Sequence, residues 1–107
     1  MTRVGFQFKV KEDSIYEYRW HHKNVWPEML RALKKHGWNN YSLFMRPDGL
    51  IFGYFETHGT FEEALKGMNT EEVNRKWQTL MAPFFEGGDL TSPDQFIVQL
   101  EEVFFTD

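Results

Sequence analysis

Two apolar runs, NYSLFMR (residues 40–46) and LIFGYFE (residues 50–56), are separated by Pro47-Asp48-Gly49. Pro presets the backbone of a turn, Asp bonds the main chain two residues on, and Gly takes the left-handed angle that closes it. The stretch reads as a β-hairpin, so the chain must build on an antiparallel sheet. Upstream, RVGFQFKV (residues 3–10) alternates, placing Val4, Phe6, Phe8 and Val10 on one face with polar residues opposite. That is the period of a half-buried strand.

Between these elements lie helical signals. Asp13 can cap a helix beginning at Ser14. Trp26-Pro27 interrupts it, because the residue before a proline is pushed out of helical geometry. Pro27 suits the first position of a second helix carrying Met29, Leu30 and Leu33, with Gly37 ending it. After the hairpin, Thr60 and Glu63 form a capping box for FEEALKGM. Thr70 starts a helix over EEVNRKWQTLM, Gly87-Gly88 and Pro93 mark a loop, and FIVQLEEVFF (residues 96–105) reads as a last, strongly apolar strand. Strand, helix pair, hairpin, helix pair, strand is the order of an α+β, ferredoxin-like split β-α-β sandwich with helices on one sheet face. The other face also carries large residues, since FGYF and VFF place rings at adjacent positions. A twin subunit would cover it economically, which predicts a homodimer, a dimeric α+β barrel.

With 107 residues the chain has the size of one domain, spanning 1–107, and no repeat or linker divides it. The absence of Cys removes disulfides, thiol nucleophiles and Cys-based metal sites together. A net charge of −4 argues against nucleic acid or anionic membrane as partner. The N-terminus MTRVGFQFKV has neither the run of a signal peptide nor that of a membrane span, so a cytoplasmic protein is expected.

Residues 16–29, YEYRWHHKNVWPEM, hold two Tyr, two Trp and two His. Residues three and four apart share a helix face, so Ile15, Tyr18 and His22 form one stripe directed inward. His21 lies about 100° round the axis, beside Glu17, on what reads as a solvated face. The four His (21, 22, 36 and 58) show no HxxxH or HExxH spacing, and no metal is expected. His22 could be a core histidine bonded to a carbonyl or carboxylate, and Tyr18, Tyr41, Trp26 and Trp77 could be ordinary packing. Amphipathic rings around a His also suit a neutral polyol: ring faces meet sugar C–H groups and polar tips bond its oxygens. Neither paired glycosidase carboxylates nor a Ser/His/Asp or phosphate-loop motif is apparent.

The run Tyr18-x-x-x-His22-x-x-x-Trp26-Pro27-Glu28, followed by His36-Gly37-x-x-Asn40-Tyr41-Ser42, resembles the L-rhamnose mutarotase family. The likeness continues through Phe52-Gly53, Lys76-Trp77 with Met81, and Glu102-Val103-Phe104. It implies a dimeric ferredoxin-like α+β fold that interconverts the α and β anomers of L-rhamnose, or a related 6-deoxy sugar, without cofactor. It also implies His22 as the catalytic residue, Tyr18 and Tyr41 as sugar-binding tyrosines, and Trp77 as the stacking ring. Lys76 stands where the family carries a Trp, and is counted with the substrate-binding residues. Pointing inward, it would change the preferred sugar. The family's Asn-Pro-Asp-x-Ser-Pro loop is replaced here by Gly87-Gly88-Asp89-Leu90-Thr91-Ser92-Pro93.

Anomer exchange opens and recloses the pyranose ring, with one proton delivered to the ring oxygen and one removed from the anomeric hydroxyl. An unperturbed His pKa near 6.5 suits both transfers. His22 is assigned as the donor to the ring oxygen; a tyrosine, a backbone carbonyl or a water could be the partner base. Two other readings fit the same architecture: a cofactor-free monooxygenase acting on an aromatic substrate, and a non-catalytic sugar-binding dimer.

Overall fold

A computed structural model describes residues 1–86 and 97–107. Its elements run β1 (Thr2–Lys9), α1 (Ile15–Lys23), α2 (Pro27–Lys35), β2 (Asn39–Met45), β3 (Leu50–Thr57), α3 (Phe61–Asn69), α4 (Glu72–Met81) and β4 (Val98–Leu100), with 3-10 turns at Glu12–Ser14 and Ala82–Phe84. The four strands form one antiparallel sheet in the order β2-β3-β1-β4. This is the ferredoxin-like α+β arrangement expected from the element order.

The hairpin signal is realised as read. The Leu50 amide donates to the Asp48 carboxylate at 3.1 Å, and Gly49 takes φ +93°. A Cβ at Gly49 would collide with the Val10 carbonyl. Pro27 opens α2, preceded by an extended Trp26, and Gly37 follows it at φ +82°. Both arms of the Thr60–Glu63 capping box are formed.

Three local expectations are corrected. Asp13 does not cap α1: it lies in the 3-10 turn, Ser14 holds the cap position, and neither side chain bonds the first turn. Thr70 closes α3 rather than opening α4, because its hydroxyl is committed to the Gly67 carbonyl at 2.7 Å. Where a strand is expected over residues 96–105, the described residues form one only at Val98–Leu100, and Phe96 lies outside them. The β4 ladder with β1 stops at Gly5↔Leu100; beyond it, Arg3 pairs with Glu102 at 2.7 Å and lies over the Phe105 ring. Val103, Phe104 and Phe105 are exposed, with no helix or strand among the described residues covering them. The loop expected at residues 87–93 lies outside the described residues.

Val4, Phe6 and Phe8 of β1 and Ile51 and Phe55 of β3 face the helices and are buried. Phe6 stacks on Phe61 and Trp38 on Phe55, with centroids 5.5 and 4.0 Å apart. The opposite sheet face carries Phe44 and Phe52, cross-strand partners that are both exposed.

Candidate active site

A cavity of about 600 Å³ separates part of the sheet from the helices. That lies within the roughly 300–1,000 Å³ range of small-molecule pockets. Tyr18, His22, Tyr41 and Trp77 all line it, so the fold brings together four of the five residues singled out from the sequence.

Tyr18 and His22 come from one face of α1. The His22 Nδ1–H donates to the Tyr18 main-chain carbonyl at 2.9 Å, and the two rings stack with centroids 4.1 Å apart. This bond fixes the neutral tautomer and leaves Nε2 as the acceptor. A carbonyl-bonded core histidine therefore describes only half of the ring. Trp77, on α4, meets the His22 ring edge-on at 5.4 Å. Trp26, at the bend before α2, supports Trp77 from behind at 5.1 Å.

Tyr41 reaches the cavity through a β-bulge. Asn39 opposes Glu56 while Ser42 opposes Tyr54, so β2 carries one extra residue between them. Uninterrupted pairing would set Tyr41 opposite Tyr54, on the open face. With Asn40 in the left-handed region at φ 51°, Tyr41 instead turns inward against Trp38, at 5.1 Å. The Asn40 side chain is tied to the Glu56 carboxylate at 2.9 Å.

The surroundings set the protonation states. Burial lowers the His22 pKa, an effect opposed by the Tyr18 carbonyl and reinforced by neighbouring His21, so the imidazole is neutral at pH 7. Burial raises both tyrosines, and Tyr18 is pushed further by its proximity to Tyr41. At neutral pH both are therefore hydroxyl donors, not bases. Among the described residues, neither hydroxyl has a protein hydrogen-bond partner, nor does the Trp77 indole N–H or His22 Nε2. None of these atoms is both enclosed and unpaired, and all four residues line the cavity. Such a set of polar tips in an aromatic box can bind a polyol and move a proton at one nitrogen.

Two placements differ from the sequence reading. Lys76 is exposed and lines a separate, shallow groove between α2 and α4, with Arg31, Lys35 and Glu72. His21 is half-buried instead of solvated, its ring 5.8 Å from Phe84 and 6.4 Å from Trp77. Beside Arg19 and Asn69, the polar cavity residues not singled out from the sequence include two on α4, Asn74 and Gln78. Their signal is the stripe Asn74-Trp77-Gln78-Met81, in which two amides occupy positions of α4 that would otherwise be apolar. No group of three His, Cys, Asp or Glu among the described residues is placed to hold a metal ion. No helix among them is long and apolar enough to cross a membrane.

Comparison with known proteins follows the same lines. A family model described as L-rhamnose mutarotase matches residues 3–106. L-rhamnose mutarotases of Oceanobacillus iheyensis and Bacillus subtilis are 38% and 37% identical to the chain over 108 residues, each aligned along the full length of both proteins. The crystal structure of an L-rhamnose mutarotase from Formosa agariphila superposes with a TM-score of 0.82 at 25% identity, covering 100% of both chains.

Proposed function

Since the chain belongs to the L-rhamnose mutarotase family, isomerases that interconvert the anomers of a carbohydrate, we propose that His22 carries out the proton transfers of that reaction on L-rhamnose or a related 6-deoxy sugar. One observation carries this reading: Nδ1–H is spent on the Tyr18 carbonyl, so Nε2 is the basic atom available to the cavity. The tyrosines, held protonated by burial, cannot compete as the base.

The anomeric hydroxyl O1 and the ring oxygen O5 are bonded to the same carbon, so one imidazole can serve both. Nε2 takes the O1 proton, a C1=O1 double bond forms, and the C1–O5 bond breaks with its electron pair on O5. The imidazolium then returns the proton to O5, giving the open-chain aldehyde. Rotation about C1–C2 presents the other carbonyl face, and the same transfers in reverse close the second anomer. His22 thus acts as base before it acts as the expected donor, and no net proton is consumed. Tyr18 and Tyr41 would bond sugar hydroxyls, and Trp77 would pack against the ring.

The domain is taken as residues 1–107, acting as a homodimer in the cytoplasm. The exposed Phe44 and Phe52 on the open sheet face, with Phe104 and Phe105 in the tail, support a twin subunit as cover. A monomeric mass in sedimentation at micromolar concentration would refute that part. The catalytic reading is tested by saturation-transfer NMR between the α and β anomeric protons of L-rhamnose, with L-fucose in parallel. Native protein should accelerate transfer, and His22→Ala should lose about 10²–10⁴-fold of the acceleration. Full activity in His22→Ala would sink the assignment.

A further inference from the structure

Resting on the reading of the cavity as the sugar site, we infer that Asn74 and Gln78 form a paired amide reader that selects the substrate by its hydroxyl pattern. Both side chains line the cavity from α4, on the same face as Trp77. The Gln78 Nε2–H donates to Asn74 Oδ1 at 3.2 Å. Asn74 is only 4% exposed, and among the described residues its Nδ2 donors have no partner. Among the described residues no polar side-chain atom is both enclosed and unpaired, so those donors are not sealed away, and Asn74 itself lines the cavity.

The chemistry follows from the inventory of two amides. One internal bond uses one C=O and one N–H, leaving an NH₂ group on one residue and a C=O on the other. Swapping the orientation of both amides preserves this sum. A neighbouring donor and acceptor complement a sugar hydroxyl, which accepts from one and donates to the other, or two vicinal hydroxyls. An aliphatic or aromatic ligand would leave both groups dry and unpaired at a steep cost. The pair therefore does for the hydroxyl pattern what Trp77 does for the ring: it admits polyols and rejects flat apolar molecules.

A purely structural amide and a substrate reader predict opposite responses. In the double variant Asn74→Leu/Gln78→Met the reader loses its ligand bonds. The empty protein loses the unpaired donor and acceptor together with the internal bond, so neither amide is orphaned. KM for L-rhamnose should rise about fivefold for each lost hydrogen bond, with Tm unchanged or higher. Polarimetry of fresh α-L-rhamnose and of its 2-, 3- and 4-deoxy analogues supplies the second readout. At least one analogue should be poor for native protein, and the double variant should no longer discriminate against it. A double variant that discriminates among the analogues as the native protein does, or that loses Tm with KM unchanged, overturns the inference. Titration calorimetry with L-rhamnose separates the two readings. Binding weakened in the double variant without any native anomer exchange would keep the reader and refute the mutarotase mechanism. Absence of monosaccharide binding to native protein would refute the reader itself.

Discussion

The Tyr18 main-chain carbonyl accepts the His22 Nδ1–H at 2.9 Å, so the residue that offers a hydroxyl to the cavity also fixes its neighbour's tautomer. The two contributions come from different atoms and can be separated by substitution. Tyr18→Phe deletes the hydroxyl and leaves the carbonyl in place.

Tyr18→Phe and Tyr41→Phe should each raise KM about fivefold, the worth of one hydrogen bond to a neutral partner, and leave kcat within about twofold. Neither hydroxyl bonds a described protein residue, so thermal melts should coincide with the native one. A large fall in kcat with KM unchanged would instead give the hydroxyl a part in proton transfer.

The His22 pKa is lowered chiefly by burial, so the neutral imidazole needed as base persists below pH 6.5. The exchange rate should be flat near pH 7 and fall on the acid side with an apparent pKa below 6.5. Stability carries the same sign. The unfolded chain binds the His22 proton near pH 6.5 and the folded one only at lower pH. The associated stability is therefore complete above 6.5 and is lost as pH falls toward the folded value. A pH–rate profile with an acid limb above pH 7 would contradict the burial argument.

Asn40→Val should be more damaging than Asn40→Gly. A β-branched residue in the left-handed region costs about 1–2 kcal/mol, and strain there either lowers Tm or moves Tyr41 off the cavity. Glycine adopts the angle freely and loses only the bond to Glu56. Differential scanning calorimetry together with KM for L-rhamnose tests both halves; equal behaviour of the two variants would deny the bulge its role.

Lys76→Met should leave kcat/KM for L-rhamnose and the preference over L-fucose within about twofold. The exposed Lys76 lines the outer groove instead of the cavity. A change in sugar preference would place its side chain at the substrate.

The Tyr18–His22 pair was legible because helical spacing is rigid, whereas Tyr41 and Trp77 received their roles from the family resemblance alone. Tyr18 and His22 stand four residues apart, and Trp77 occupies the inner stripe of α4 with the two amides. Those amides escaped notice because Asn and Gln within a helix usually face solvent, and only burial distinguishes these. Local chemistry misled at Thr70, where one hydroxyl had a choice between closing α3 and capping α4. It misled again at FIVQLEEVFF, where among the described residues the apolar run has no strand partner beyond Leu100. His21 belongs to the same group: its place round the helix axis follows from the sequence, but Phe84 arrives from the end of α4 to cover it.

The sequence by itself determined the antiparallel hairpin, the element order, the Trp26-Pro27 bend and the Thr60–Glu63 cap, because each depends on dihedral limits or hydrogen bonds within a few residues. It also determined which α1 side chains share a face. Only the tertiary structure decided that Tyr41 turns inward, that Asn74 is buried while lining the cavity, and that Lys76 stays outside. Those outcomes depend on a one-residue bulge against β3 and on how α4 packs over the sheet. Both are relations between segments distant along the chain, and no local propensity encodes them.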